Sequence, residues 1–153
     1  MVDLVVSKKI VIESHKGQYS ACFIRGGMDE LNKNPIENAI YIIDSKICKL
    51  YANRIEMILS SQRVVKIEAS EINKSLDKMP EYVRNLVFLN IKRGDPLVAI
   101  GGGIIQDITC FLATTIMRGL PWFFYPTTLL AQSDSCIGSK SSINSGEFKN
   151  ILG

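Results

Sequence analysis

The sequence predicts an α/β fold: a mostly parallel sheet with helices on both faces, preceded by an N-terminal β-hairpin. Two patterns predict it. After Pro35, short apolar runs alternate with segments of helical periodicity, in the order β-α-β-α-β-α-β. Such an alternation builds crossovers and therefore parallel strands. Before Pro35, two strand-like stretches bracket the turn-prone Lys16-Gly17-Gln18, the pattern of a hairpin. At 153 residues the chain is one domain by size, spanning residues 1–153 and long enough to bury a core.

Each element has a local reason. Residues 9–13 and 19–25 supply the hairpin strands, and Gly26-Gly27 ends the second. Residues 39–44 form a short buried strand closed by the carboxylate of Asp44. Ile47, Leu50, Tyr51, Arg54, Ile55, Ile58 and Leu59 then recur at helical spacing, which predicts one amphipathic helix. Residues 63–68 form a strand. Ser70 is placed to cap a helix that starts at Glu71. Pro80 divides that helix and suits the first turn of the next. Val83, Leu86, Val87 and Ile91 are its expected inner face, and Gly94 its end. Residues 96–100 make a strand, 106–117 a helix, 121–125 a strand and 127–132 a short helix.

Composition excludes several classes of function. Net charge is +3 and the basic residues are scattered, so no nucleic-acid partner is expected. No window approaches the roughly 18 apolar residues of a membrane span, and the N-terminus has no secretory pattern, so the expectation is a cytoplasmic protein with no membrane partner. Cys22, Cys48, Cys110 and Cys136 form no C-x-x-C pair and fit free thiols in a reducing compartment. His15 is the single histidine, and no metal-ligand spacing is visible.

Functional groups concentrate at strand ends and in the last fifty residues. Gly101-Gly102-Gly103 follows an apolar strand and opens a helix. Three glycines exceed the need of a turn and favour close approach of a pyrophosphate to backbone N–H groups, although a tight strand-to-helix turn is the plain alternative. The spacing is neither G-x-G-x-x-G nor a Walker A motif, so the arrangement is Rossmann-like without the usual fingerprint. Asp107 suits a ribose hydroxyl or simply the helix dipole. Asp44 suits the same task or an N-cap. Glu71 and Lys74 share a helical face, as a site pair or a solvated ion pair. Arg118 precedes Gly119 in a last turn, where it can also serve the dipole. Lys140, Lys149 and Asn150 lie in a Ser- and Gly-rich loop; gathered at one mouth, such groups suit a phosphorylated or carboxylated substrate.

Taken in order, GGGIIQD, MRG, PTTLLAQSDS, GSK and FKN resemble segments of the dehydroquinate synthase family, in which the run is G-G-G-x-x-G-D, M-R-G, P-T-T-L-L-A-Q-x-D-S, G-x-K and G-K-N. The resemblance runs from about residue 39 to 153. It implies an NAD-dependent, metal-assisted lyase that eliminates phosphate from a seven-carbon phosphorylated keto acid and closes its ring, on the shikimate route to aromatic amino acids. Carried over position by position, it implies that Asp44, Glu71 and Lys74 hold the adenosine ribose end. Gly101, Gly102 and Gly103 would lie along the pyrophosphate, and Asp107, Thr127, Thr128 and Leu130 along the nicotinamide half. Asp134, Lys140, Lys149 and Asn150 would face substrate and nicotinamide. Arg118 would reach the substrate phosphate across a homodimer interface.

Three departures stand out. Gln106 replaces a common glycine, Ser139-Lys140-Ser141-Ser142 replaces Gly-Lys-Thr-Gly, and Asp44 is followed by Ser45-Lys46 rather than an Asn two positions on. They point to a related cyclase acting on another sugar phosphate as the second reading. A non-catalytic nucleotide-binding module is the third. Family members continue into a helical C-terminal domain that supplies one carboxylate and two histidines to a divalent metal, zinc or cobalt. The sequence stops at Gly153 before any of these. The expectation is therefore the NAD-binding N-terminal domain of a longer two-domain enzyme, without metal ligands of its own and catalytically silent alone, with apolar surface left uncovered.

Overall fold

The structure, a computed structural model, describes residues 6–14, 17–137 and 141–153. Its centre is a four-stranded parallel sheet in the order β4-β3-β5-β6. The strands are β3 (Ile40–Asp44), β4 (Val64–Ile67), β5 (Leu97–Gly101) and β6 (Trp122–Pro126). β1 (Val6–Ser14) and β2 (Gly17–Ile24) pair antiparallel, as the hairpin pattern predicts. β3 and β5 are buried on both faces, which is why they appear in the sequence as continuous apolar runs rather than alternations.

Helices cover both faces. On one, Ile40, Ile42, Leu97 and Ala99 pack with α4 (Met79–Phe88) and α5 (Gly103–Thr115). On the other, Tyr41, Ile43, Val98 and Ile100 pack with α1 (Gly27–Lys33), α2 (Ser45–Leu50) and α3 (Glu56–Ser60).

The single amphipathic helix expected over Ile47–Leu59 is instead α2, a 3-10 turn over Ala52–Arg54, and α3. Long-range partners impose the break. Arg54 donates two hydrogen bonds to Asp29 (2.8 and 2.6 Å), and Asn32 Oδ1 of α1 accepts from the N–H groups of Met57 (2.9 Å) and Ile58 (3.3 Å). Asn32 thus caps α3 from outside, and Leu50 is left 64% exposed. Asp44 caps α2 through Lys46 N (2.9 Å), the plain alternative weighed for it.

No regular helix starts at Glu71. Ser70 heads a turn through Lys74, a 3-10 turn follows over Leu76–Lys78, and α4 carries Pro80 in its first turn. The inner face of α4 is Met79, Tyr82 and Leu86; Val87 is 62% exposed and Val83 also lies outside. Tyr82 takes the inner position and donates from its hydroxyl to Asn73 O (3.0 Å). The helix ends at Asn90 rather than Gly94. Asn90 adopts φ 55°, its N–H bonds Val87 O (2.9 Å), and Ile91 N bonds Leu86 O (3.1 Å), a Schellman closure with Asn in the left-handed position. Beyond β6 lie α6 (Leu129–Ser133) and an antiparallel pair, β7 (Ile143–Ser145) and β8 (Phe148–Leu152), where the sequence had suggested a loop.

The three glycines after β5 are not equivalent. A Cβ on Gly101 would stand 2.7 Å from Cγ1 and 2.8 Å from Cβ of Ile105, a fully buried residue of α5. On Gly103 the nearest atom would be Ser135 Oγ at 3.9 Å. Gly101→Ala should therefore destabilise the fold by about 1–3 kcal/mol through overpacking, while Gly103→Ala should leave it unchanged or more stable. Urea unfolding of the two variants checks this; equal midpoints would reject the packing role of Gly101.

Candidate functional site

From β3 the chain turns to β4 on one side of the sheet, and from β5 to β6 on the other. Ile43 pairs with Ile100, so Asp44 and Gly101 leave the sheet side by side at this reversal, where open α/β sheets bind ligands. α5 starts there after Gly102 without a side-chain cap. Its first intrahelical bond runs from Gln106 N to Gly102 O (3.1 Å). The N–H groups of Gly103, Ile104 and Ile105 therefore lack helical acceptors and carry the positive end of the dipole. A Cβ on Gly102 would lie 3.1 Å from Thr128 Cγ2, so α6 closes on this turn. Thr127 N also bonds Gly101 O (2.8 Å), and Thr128 Oγ1 caps α6 through Ala131 N (3.2 Å).

Beside the turn is a buried polar network centred on Lys74, only 5% exposed. Lys74 Nζ donates to Asn150 Oδ1 (2.9 Å) and lies 3.4 Å from Asp107 Oδ2 and 3.6 Å from Glu71 Oε2. Asn144 Nδ2 donates to Glu71 Oε2 (2.9 Å), and Asn144 Oδ1 accepts from Asn150 N (2.9 Å). The Asn144 hydrogen bond leads in holding the Glu71 carboxyl below its usual range, with Lys74 adding to it. Burial pushes the Asp107 carboxyl up, against the pull of Lys74. A groove of roughly 410 Å³ opens alongside, lined in part by Glu71, Ser75, Asn144 and Lys149.

Around the glycine turn, three buried polar atoms have no partner among the described residues: Thr127 Oγ1, Ser135 Oγ and Gln106 Oε1. Buried polar atoms are nearly always paired, so these mark a place for a polar ligand or water. Uncapped donors, an open Gly103 and orphaned hydroxyls fit a dinucleotide with its pyrophosphate at the turn. A metal fits less well: among the described residues no three His, Cys, Asp or Glu side chains stand together to hold an ion.

The structure thus brings together Asp44, Glu71, Lys74, the three glycines, Asp107, Thr127, Thr128 and Asn150. Lys149 is exposed at the groove, Asp134 is exposed after α6, and Leu130 is 72% exposed. Lys140 lies outside the described residues. Arg118 is not brought in: it sits in a 3-10 turn after the far end of α5, roughly 20 Å away at 1.5 Å per helical residue. Sequence reasoning missed Asn144 and Ser135. Ile143 and Leu152, paired across Ser145-Gly146-Glu147, carry the hairpin signal that would have found Asn144.

Asp107 and Glu71 should contribute to stability with opposite pH dependence. The folded pKa of Asp107 is raised, so its contribution is fully present below the unfolded value of 3.8 and is lost as pH rises through the folded value. Glu71 is lowered, so its contribution is present above its unfolded value of 4.5 and is lost as pH falls through the folded one. Between pH 4 and 7, Asp107→Asn should therefore gain stability relative to wild type. Denaturant titrations at both pH values test it, and parallel pH profiles for the two proteins would reject burial as the dominant influence on Asp107.

Residues 64–153 match the family model for the 3-dehydroquinate synthase N-terminal domain. A 3-dehydroquinate synthase of Clostridium tetani is 38% identical over 114 residues, 73% of this chain and 31% of that protein. The chain spans about a third of the length of the relatives it matches. A 2-deoxy-scyllo-inosose synthase solved with carbaglucose-6-phosphate, NAD+ and Co2+ shares the fold at TM-score 0.79 and 22% identity, over 95% of this chain and 42% of that one. A 2-epi-5-epi-valiolone synthase of Streptomyces hygroscopicus with NAD+ and Zn2+ bound aligns at TM-score 0.68 and 30% identity, over 80% and 37%. With its glycine turn, α5 and the closing Thr127-Thr128 all inside the matched segment, the chain belongs to the 3-dehydroquinate synthase N-terminal family.

Proposed function

We propose that residues 1–153 are the NAD-binding domain of a longer, homodimeric 3-dehydroquinate synthase-like enzyme of the cytoplasm, which eliminates phosphate from a seven-carbon phosphorylated keto acid and cyclises it. The observation that carries this reading is the set of uncapped N–H donors and orphaned hydroxyls around Gly103, at the sheet's reversal point. Bound there, NAD supplies a reversible hydride acceptor for one substrate hydroxyl.

The chain's own groups bind and orient. Gly102 and Gly103 let the pyrophosphate approach the N–H groups at the start of α5, while Gly101 packs the turn on Ile105. Asp44, Glu71 and Lys74 hold the adenosine ribose end. Asp107 offers an acceptor to a ribose hydroxyl, its orientation set by Lys74. Thr127 and Thr128 close the nicotinamide side, with Leu130 covering it. Asp134, Lys140, Lys149 and Asn150 face the substrate, whose carboxylate and phosphate the lysines neutralise. Arg118, at the opposite end of α5, serves the phosphate in a partner subunit's site. A divalent ion would be held by a carboxylate and two histidines of the second domain, and would there polarise the substrate oxygen.

A related cyclase acting on a neutral sugar phosphate is the second reading, favoured by the buried Gln106 side chain where the family commonly has glycine. Turnover of both substrate classes by the full-length enzyme separates the two.

Calorimetry tests the dinucleotide site. Wild type should bind NAD, and Gly103→Val should bind at least about tenfold more weakly at an unchanged melting temperature, because a branched side chain there blocks the pyrophosphate approach. A folded wild-type chain that takes up no NAD removes this reading.

A further inference from the structure

Gln106 lies on the first turns of α5 and is only 3% exposed. Its Nε2 donates to Ser135 O at 2.7 Å. A carbonyl can only accept, so this bond orients the amide and leaves Oε1 on the other side. Oε1 then has no donor among the described residues. An amide oxygen buried without a partner loses its hydration with nothing in exchange, and a glycine in its place would carry no such cost. The two other orphaned atoms around the turn, Ser135 Oγ and Thr127 Oγ1, share this surrounding, and Ser135 Oγ is the atom nearest the open side of Gly103.

We infer that Gln106 is a cofactor-binding residue: its Oε1 accepts a hydrogen bond from the part of the dinucleotide beyond the pyrophosphate, while its Nε2 holds the turn that carries Ser135. The inference rests on the dinucleotide reading above. The phosphates themselves are excluded as the partner, because an amide oxygen and a phosphate oxygen are both acceptors and repel. Phosphates belong over the N–H groups of Gly103 to Ile105; the acceptor of Gln106 requires an O–H or N–H flanking them. Two donors of that kind exist, a hydroxyl of the second ribose and the carboxamide of the nicotinamide.

Gln106→Met keeps the length of the side chain and removes the acceptor. Calorimetry on this chain and the variant with NAD, ADP-ribose and ADP separates the sources. Loss of about tenfold in affinity for NAD and ADP-ribose with ADP unaffected identifies the ribose hydroxyl. The same loss for NAD alone identifies the carboxamide. Equal loss for all three ligands overturns the inference, since the defect then runs through the phosphate turn. Unchanged affinities overturn it too and leave Oε1 to a water. Absence of any NAD binding by wild type removes the dinucleotide reading and this inference together, whereas equal Kd values remove only this inference. A measurement that needs no variant runs beside it: the side-chain amide protons of Gln106 in wild type should shift in NMR spectra on adding NAD and stay in place with ADP. If they stay in place with NAD as well, the inference is overturned.

Discussion

The burial of the Lys74 side chain is the constraint on which the arrangement of the site depends. A cation removed from water must be paired and hydrogen-bonded, and removing one partner of a buried pair costs about 3–5 kcal/mol. Lys74 meets the requirement by drawing two distant segments to its own turn: beside Glu71, three residues earlier, it gathers Asp107 from α5 and Asn150 from β8. The main chain follows, with Asn144 N bonding Lys74 O at 2.9 Å. Asn144 then spends its side chain on Glu71 and on Asn150 N. The C-terminal hairpin is thus seated by polar pairing together with Ile143, which is fully buried in the core with Leu152 packed against it, while Phe148 and Ile151 stay exposed.

A second constraint acts at the turn between β5 and α5, where three successive glycines meet three different needs. Gly101 lets Ile105 pack directly against the end of the sheet, Gly102 makes room for Thr128, and a Cβ on Gly103 would meet only Ser135 Oγ, in ordinary contact at 3.9 Å. Only the last has no structural reason to lack a side chain, so it alone points to something approaching from outside. The N-terminal hairpin reaches the same region, with the Tyr19 hydroxyl donating to the carbonyl of Ile137, and so braces the turn whose Ser135 carbonyl Gln106 holds.

Most of the sheet was legible in the sequence because burial on both faces writes itself as unbroken apolar runs, as in β3 and β5. The glycine turn, Asp107 and the Thr127-Thr128 corner were legible because few residue types serve such positions. The break between α2 and α3 was not, because Asp29 and Asn32 impose it from twenty-five residues away, against a local periodicity that favours one helix. The end of α4 was misplaced because Asn90 and Gly94 both tolerate positive φ, and only the Schellman bonds to Val87 and Leu86 show which one is used. Asn144 was illegible for a different reason: its burial exists only because Lys74 and Glu71, seventy residues earlier, need what it offers.

The two ends of α5 show how one helix separates two tasks. Its N-terminus is uncapped and flanked by orphaned polar atoms, so its donors are free for a ligand. Its C-terminal side runs into Met117, Arg118 and Gly119, three successive residues at φ 52°, 69° and 114°. The left-handed region costs a non-glycine residue about 1–2 kcal/mol, and two adjacent residues bear that cost here. The strain is held by Gly119 N bonding Ile116 O (3.0 Å) and Leu120 N bonding Ala113 O (2.8 Å), with Leu120 buried in the core. An ordinary helix end with a single glycine would have placed Arg118 back over the last turn of α5, where it would serve the dipole. The strained turn instead leaves Arg118 exposed, a helix length away from the glycine turn of its own chain. Strain of this kind persists where the surroundings over-determine it and where the resulting geometry has a use. Here the surroundings are the buried Leu120 and the return of the chain into β6, and their effect is to hold Arg118 in solvent at the end of α5 opposite the glycine turn.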